Sequence, residues 1–302
     1  MAALNGRGER DIGVVDAVGP DGKGRDMAGL RFEEYLDRDA FRALLPKGPL
    51  PGLRTVFHLG ACSSTTEKDA GFLEDNNYRY TRELCEWCLA HGVRFVYASS
   101  AATYGDGTKG YSDSDEVTPT LEPLNPYGRS KQMFDEWALS SGVLGRVAGI
   151  KYFNVYGPHE DHKGEMRSVA NKAYRQILET GEVRLFRSYR PEYQDGEQRR
   201  DFVWVGDAVA VTLFFHDRPG VSGLYNCGTG KARTWNDLAK AVFAAMGKPP
   251  KIRYIDMPES IRAAYQYHTE ADVSKLRHAG CSHPFTELEK GVSEYVTGHL
   301  SR

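Results

Sequence analysis

Short apolar runs alternate with longer amphipathic stretches through the first half of the chain. Such runs are typical of strands buried on both faces of a parallel sheet, and they lie at residues 11–17, 55–60, 93–98 and 147–153. Helical periodicity covers residues 39–46, 72–91 and 126–140. Gly92 is a natural helix stop, and Pro126 suits a first helical position. The alternation predicts an α/β protein with a doubly wound parallel sheet.

The pattern becomes less regular after about residue 155. A polar stretch over residues 188–200 predicts a loop. The predicted helices lie at residues 164–180, 206–216, 235–246, 271–279 and 285–299. The predicted strands lie at residues 183–186, 201–205, 224–226 and 252–255. This half of the chain therefore adds elements of mixed order to the regular first half.

Composition narrows the classes of partner. The chain has 302 residues, of which 40% are hydrophobic and 26% charged, as expected of a packed globular protein. Its net charge is −2, so no basic surplus indicates a nucleic-acid partner. No apolar run reaches transmembrane length, and the first ten residues lack the apolar core of a signal peptide. We expect neither a nucleic-acid nor a membrane partner.

The cysteines indicate a reducing compartment. There are five of them, an odd and scattered set, which predicts a cytoplasmic protein without structural disulfides. Cys85 and Cys88 form a C-x-x-C pattern inside a helical stretch, and no second pair completes a zinc site. We therefore predict no metal site and no redox role for this pair.

The chemistry is concentrated at Ser100, Tyr127 and Lys131. Tyr127 and Lys131 stand four apart on a predicted helix and share one face. An ammonium beside a phenol is expected to lower the pKa of the phenol and make it a usable base. Such a pair arises about once by chance in a chain of this composition. Ser100 ends a predicted strand, where α/β sheets place their ligands, and this order of the three groups favours a hydride-transfer site.

The motifs around these residues resemble those of the extended short-chain dehydrogenase/reductase family, whose members act on nucleotide sugars. The resemblance rests on segments 57–67, 75–78, 98–105, 127–131, 151–164 and 200–207, and on Tyr265 and Gln266. It runs from about Ala3 to the C-terminus. Gly-Ala-Cys-Ser-Ser-Thr-Thr at 60–66 and His-Lys-Gly at 162–164 are specific, within that family, to epimerases of an ADP-heptose.

The resemblance implies a Rossmann-like dinucleotide-binding domain over residues 1–155 and a smaller, mainly substrate-binding domain over residues 156–302. Residues 201–226 are expected to return to the first domain. The implied reaction inverts C6″ of ADP-D-glycero-D-manno-heptose by transient oxidation and re-reduction, with NADP, or NAD, as cofactor. Tyr127 is one acid/base of that reaction and Lys163 the second. A homo-oligomer is also implied.

The resemblance also assigns binding residues. The cofactor positions are Asp16, Lys23, Arg38, Leu59, Gly60, Ala61, Cys62, Ser63, Asn76, Lys131, Val155 and Lys163. The substrate positions are Asn154, Glu165, Lys172, Phe186, Arg187, Ser188, Tyr189, Arg200 and Tyr265. A guanidinium such as that of Arg200 can clamp a diphosphate through two hydrogen bonds. Leu59, Glu165 and Ala264 depart from the residues that the family pattern leads us to expect.

The family's G-x-x-G-x-x-G phosphate loop and the strand before it have no counterpart in this sequence. That loop places backbone N–H groups and a helix N-terminus against the pyrophosphate. The glycine-rich segment 19–24 follows the second strand of the family pattern and reads as a turn. We therefore expect the chain as written to bind dinucleotide poorly and to turn over slowly or not at all.

Two other functions stay open at this point. One is another nucleotide-sugar epimerase or dehydratase, although a dehydratase would need an acidic pair beside Ser100, and Ser100-Ala-Ala-Thr103 supplies none. The other is a non-catalytic protein that binds a nucleotide sugar after losing its cofactor site. The presence of Tyr127, Lys131 and Lys163 favours an enzyme.

Overall fold

A parallel β-sheet with helices on both faces forms the centre of the molecule. The computed structural model describes residues 1–17 and 27–301. The strands are β1 (Gly13–Asp16), β2 (Glu34–Asp37), β3 (Thr55–His58), β4 (Arg94–Ser100), β5 (Ala148–Tyr152), β6 (Asn154–Tyr156), β7 (Val183–Phe186), β8 (Arg199–Arg200), β9 (Phe202–Trp204), β10 (Gly223–Cys227), β11 (Arg233–Thr234) and β12 (Ile252–Ile255).

The helices include short and irregular segments. The α-helices are α1 (Ala2–Gly6), α2 (Arg38–Arg42), α3 (Ala70–Leu73), α4 (Tyr80–Ala90), α5 (Pro126–Ser140), α6 (Val169–Thr180), α7 (Val205–Asp217), α8 (Trp235–Ala245), α9 (Glu259–Arg262), α10 (Ser274–His278) and α11 (Leu288–Tyr295). The 3₁₀ segments are Leu45–Lys47, Ala101–Tyr104, Thr118–Thr120, Val143–Gly145 and Asp161–Met166, and the π-helical turns are Glu74–Arg79 and Val296–Leu300. Within the described ranges, no helix combines the length and the apolar character needed to cross a membrane.

The central sheet has four parallel strands in the order β10-β5-β4-β3. Its middle strands are buried, as their apolar sequences require: Val96, Ala148 and Ile150 have no exposed surface. Side chains of α4 and α5 pack on one face in a cluster that includes Phe95 and Phe134, and side chains of α7 and α10 pack on the other. The predicted doubly wound α/β class is therefore confirmed.

Strands β1 and β2 form a separate parallel pair, in which Asp16 lies opposite Asp37. Among the described residues, β1 pairs with β2 alone, and β3 pairs with β4 alone. Strand β2 was not predicted, because the run Glu34-Tyr-Leu-Asp37 has acidic residues at both ends. Within the described ranges, no backbone hydrogen bond therefore joins the β1–β2 pair to the central sheet.

The second half of the chain builds its own core around α6, α8 and α11, with Ile177, Phe243 and Val292 almost completely buried. Its strands pair in twos: β7 with β12, β6 with β9, and β8 with β11. Strand β10 instead pairs with β5 and extends the central sheet.

Several predicted boundaries change. The predicted helix 72–91 begins at Ala70, ends at Ala90 and contains the π-helical turn Glu74–Arg79. The predicted helix 164–180 begins at Val169, because the Ser168 hydroxyl caps the helix at the Asn171 N–H and the residues before it form a 3₁₀ segment. Helix α5 has the predicted start at Pro126 and the predicted end at Ser140.

Candidate active site

Ser100 and Tyr127 meet at the carboxyl end of β4. Ser100 is the last residue of that strand, and Tyr127 is the second residue of α5. Asn125 begins the helix by accepting a hydrogen bond from the Gly128 N–H at 2.8 Å, which fixes the first turn and the position of Tyr127. The Ser100 side chain lies near the phenol of Tyr127 and acts to lower its pKa. The structure thus brings together the strand-end hydroxyl and the phenol that the sequence selects.

Lys131 lies one helical turn beyond Tyr127 and is only 4% exposed. Its Nζ donates to the carbonyl oxygen of Ala98 on β4 at 2.8 Å. Burial lowers the pKa of Lys131 to about 8, and the nearby carboxylate of Asp135 opposes that shift.

The pKa of Tyr127 does not follow the sequence prediction. Burial raises it above its ordinary value, and the nearby Ser100 side chain only partly offsets the rise. The predicted lowering by Lys131 is wrong for this structure. The reason is that the lysine bonds to a backbone carbonyl and the phenol is itself withdrawn from water. Tyr127 is therefore protonated at neutral pH as the structure stands.

The start of α5 approaches the turn after β4 very closely. A Cβ built on Gly128 would lie 2.8 Å from the carbonyl oxygen of Ala102 and 3.0 Å from Cβ of Pro123. Only a glycine lets the two segments come so near, and this approach is what brings Tyr127 to Ser100.

The segment Leu59–Ser63, predicted to contact the cofactor, leaves β3 at the same edge of the sheet. Leu59 is 52% exposed. Asn77 holds this segment in place: its Oδ1 accepts from the Cys62 N–H at 2.9 Å and its Nδ2 donates to the Cys62 carbonyl at 2.9 Å. It also donates to Ser130 on α5 at 3.0 Å. The sequence analysis did not select Asn77, although it stands in the motif Asp75-Asn-Asn-Tyr78.

Two consecutive asparagines face inward in the π-helical turn Glu74–Arg79. Asn76 is 8% exposed and Asn77 is fully buried. Asn76 hydrogen-bonds to Asn77 at 2.8 Å and accepts a hydrogen bond from Arg38. A π-helical turn inside a helix is frequent at functional sites.

Asp16 and Arg38, predicted for the adenosine end of the cofactor, lie at the carboxyl ends of β1 and β2. Arg38 forms an ion pair with Asp39 at 2.8 Å besides its bond to Asn76. Lys23, the third residue of this group, lies outside the described residues. The carboxyl ends of β1, β3 and β4, with Asn76 and Lys131 beside them, provide the acid, amide and ammonium groups that a dinucleotide uses. The residues present therefore fit a nicotinamide cofactor.

Lys163 lies on an exposed 3₁₀ segment, Asp161–Met166, that follows β6. Asn154 and Val155, on β6, are half-buried. Within the described residues, no hydrogen bond joins Lys163 to Tyr127, and their roles on the two faces of C6″ stay a prediction. Lys172 instead binds the carbonyl of Glu165 and lies 3.4 Å from its carboxylate.

Glu160 anchors the residues on both sides of the 3₁₀ segment Asp161–Met166, and its side chain is buried, at 5% exposed. Its carboxylate accepts from the Ser168 N–H at 2.7 Å, from the Ser168 hydroxyl at 2.6 Å, and from the hydroxyl of Tyr295 on α11 at 2.8 Å.

Arg200 occupies an aromatic cage. Its guanidinium lies 5.4 Å from the ring centre of Trp235 and 5.1 Å from that of Tyr265. Phe186 meets Tyr265 edge-on at 6.4 Å, and Trp235 Nε1 donates to the Tyr265 hydroxyl at 2.9 Å. Arg200 is 6% exposed, and in the part of the chain that the structure describes it has no ion pair with a carboxylate. A buried guanidinium of this kind is a receptor for an anion.

The other predicted substrate residues do not all lie at this aromatic cage. Arg187 is exposed. The Ser188 hydroxyl donates to the Arg190 carbonyl at 2.9 Å, and the Tyr189 hydroxyl donates to Asp256 at 3.0 Å. Phe186, Arg200 and Tyr265 therefore form one site, whereas the Ser188 side chain bonds within its own loop and the Tyr189 side chain bonds to Asp256, directly after β12.

A parallel sheet with a serine at a strand end, a tyrosine beside it and a lysine one turn later defines an enzyme of the nicotinamide-dependent short-chain type. The chain matches the model of the NAD dependent epimerase/dehydratase family over residues 15–228. It belongs to that family.

Heptose epimerases are among the proteins similar to this chain. The chain is 54% identical over 299 residues to the ADP-L-glycero-D-manno-heptose-6-epimerase of Nitratidesulfovibrio vulgaris strain DP4, covering 99% of this chain and 93% of that protein. It is 42% identical over 309 residues to the enzyme of that name from Fusobacterium nucleatum, with the same two coverages. The crystal structure of the Helicobacter pylori enzyme of that name is 26% identical, with a TM-score of 0.77, covering 95% of this chain and 87% of that one.

Proposed function

We propose that this protein is an ADP-L-glycero-D-manno-heptose 6-epimerase, which inverts C6″ of ADP-D-glycero-D-manno-heptose with NADP as cofactor. The observation that carries the proposal is that Ser100 at the end of β4 and Tyr127 at the start of α5 lie together, with Lys131 buried one turn away. The identity with the heptose epimerases, over almost the whole chain, supports this substrate rather than another nucleotide sugar.

The chemistry assigned to the chain is proton transfer and positioning. A bound nicotinamide would supply hydride transfer at C6″, and Asp16, Arg38, Asn76 and Lys131 would hold the cofactor. Ser100 holds the C6″ oxygen, and the ionised phenol of Tyr127 accepts the hydroxyl proton during oxidation and returns it during reduction. The Ser100 side chain favours that ionised form. Lys131 supplies a positive charge one turn from the phenol.

Lys163 is proposed as the acid/base on the other face of C6″. It lies on an exposed segment held by Glu160, so its amine must approach Tyr127 when substrate is bound. Arg200 is proposed to bind the diphosphate, with Phe186 and Tyr265 beside the nucleoside. Its burial without a carboxylate partner within the described residues supports that assignment, because an anionic ligand would satisfy the charge.

NADP is proposed over NAD because Arg38 stands at the adenosine end of the site, where a 2′-phosphate would meet it. Asp16, at the end of β1, favours NAD instead, because an acid at that position favours a ribose without a 2′-phosphate. Titration calorimetry with each dinucleotide decides between them, and tighter binding of NAD would reject the NADP assignment. A cytoplasmic location is proposed because all five cysteines are free thiols.

The activity test uses the purified chain, saturating NADP and ADP-D-glycero-D-manno-heptose, with the configuration at C6″ followed by NMR. We expect slow inversion without uptake of deuterium at C6″ from D₂O, since the same hydride returns. Tyr127→Phe should lose at least about 100-fold in rate. Absence of inversion by the folded chain, or deuterium at C6″, would reject the proposed reaction. Inversion that survives in Lys163→Ala would reject the second acid/base.

A further inference from the structure

A buried carboxylate lies on the same helix face as the proposed catalytic pair. Asp135 follows Tyr127 and Lys131 at the same four-residue spacing on α5, so the three side chains point to one side of the helix. Asp135 has no exposed surface. Its carboxylate accepts from the hydroxyl of Tyr97 at 3.0 Å and from the hydroxyl of Ser99 at 2.6 Å, both on β4.

The partner of this carboxylate is Lys151 on β5, which also has no exposed surface. Lys151 Nζ lies 2.7 Å from Oδ2 of Asp135 and donates to the Thr103 hydroxyl at 2.7 Å. Thr103 in turn donates to the carbonyl oxygen of Ser100 at 2.8 Å. Ser100 is therefore held from both sides: through the side chain of Ser99 before it, and through Thr103 after it.

Several titratable groups lie around the Asp135–Lys151 pair, on the strands and the helix that pack against it. The carboxylate of Asp135 raises the pKa of Tyr97 on β4 and of Tyr127 on α5, and it opposes the fall in the pKa of Lys131. His58 on β3 faces Lys131, and burial together with that ammonium lowers the pKa of His58 to about 3, so it is neutral. Lys151 is the compensating cation from β5.

Burying an ion pair this completely contributes little stability, because desolvation offsets the attraction between the charges. Packing alone would be served as well by two apolar side chains. The position of the pair, directly beneath the residues of the proposed reaction, indicates a different role.

We propose that Asp135 and Lys151 are positioning residues, which hold Ser100 against Tyr127 and set the electric field at the phenol. Neither residue touches the substrate in this proposal. The turnover experiment rests on the proposed function. The measurement of the electric field at Tyr127 does not, because it needs no substrate.

The first experiment compares turnover in Asp135→Asn, Lys151→Met and the double variant. Asp207→Asn is the matched control: this buried carboxylate accepts three hydrogen bonds, from His283 and Thr286, away from Ser100. We expect kcat to fall roughly 10- to 100-fold in each single variant, because small displacements of reacting groups cost about that much. KM should change less than about threefold, and the control should keep its kcat within about threefold.

The double variant separates positioning from stability. Removing both charges should return the melting temperature towards the wild-type value, because no unpaired buried charge remains. It should not restore kcat, since Ser100 has lost both supports. A kcat that recovers in step with the melting temperature would overturn the proposal.

The second experiment follows the titration of Tyr127 by NMR of protein labelled with ¹³C at the tyrosine ring, with Tyr127→Phe identifying the resonance. Asp135→Asn removes a negative charge and should move the titration to lower pH. Lys151→Met removes a positive charge and should move it to higher pH. Opposite shifts support the pair even if the wild type fails to invert an ADP-heptose, in which case only the proposed function is rejected. Shifts in one direction, or none, overturn the proposal.

Discussion

The burial of Lys131 makes its positive charge costly. Its pKa falls to about 8 because it is withdrawn from water, whereas an unfolded lysine titrates near about 10.4. Below pH 8 both states hold the proton, so this residue adds no pH dependence. Between pH 8 and about 10.4 the unfolded chain binds more protons, so the contribution of Lys131 makes the free energy of unfolding rise with pH.

Lys131→Met should therefore be more stable than the wild type at pH 7, by roughly 3 kcal/mol, because a fall in pKa from about 10.4 to about 8 corresponds to that cost of burying the charge. That advantage should shrink as the pH rises from 8 to 10, because the wild-type lysine then loses its proton. The measurement is urea denaturation of both proteins at pH 7, 8, 9 and 10. A difference that stays constant with pH would mean that Lys131 is not desolvated as the structure indicates.

Arg200 gives a second prediction at the scale of single residues. Arg200→Gln should raise KM for the nucleotide sugar roughly 10- to 100-fold, because charge-assisted hydrogen bonds to a phosphate are lost. Its melting temperature should be unchanged or higher, since a buried cation without a carboxylate partner among the described residues is removed. Arg233→Gln is the control, because Arg233 is paired with Asp237 and Glu289. An unchanged KM in Arg200→Gln would remove Arg200 from the substrate site.

At the scale of elements, the start of α5 is the feature that the reaction depends on. Gly128→Ala should lower kcat about 10- to 100-fold, because the new Cβ would lie 2.8 Å from the Ala102 carbonyl and must push Tyr127 away from Ser100. Gly145→Ala is the matched control, since nothing lies within 4 Å of its Cβ. Both variants are measured for kcat and melting temperature. Equal kcat values would show that the close approach is not needed for turnover.

The elements also show what sequence patterns predict and what they do not. Helix α5 was predicted to its ends, because Pro126 and Asn125 act locally. Strand β2 was missed, because the acidic residues at its two ends leave no apolar run typical of a buried strand. The pKa of Tyr127 was predicted in the wrong direction, because the burial of its ring is decided by the tertiary fold. Asp135 and Lys151 lie 16 residues apart, and only the packing of α5 on the central sheet brings them together, which no local pattern encodes.

At the scale of the whole molecule, the β1–β2 pair and the four-stranded central sheet should differ in local stability. Strand β1 pairs only with β2 among the described residues, and its residues are at most half-buried. Strand β4 has neighbours on both sides, and Val96 and Tyr97 are at most 1% exposed. Local opening of β1 therefore breaks one ladder and exposes little apolar surface, whereas opening β4 breaks two and exposes the core.

Hydrogen exchange measured by mass spectrometry should accordingly find β1 amides exchanging at least about 100-fold faster than β4 amides, after correction for intrinsic rates. Addition of NADP should slow exchange in β1 if Asp16 holds the adenosine ribose, because binding favours the closed state of the strand that carries it. Strand β12, in the other half of the chain, is the internal control and should not respond. Equal protection of β1 and β4 without ligand would show that the β1–β2 pair is held as firmly as the central sheet, which its single ladder and exposed side chains do not account for.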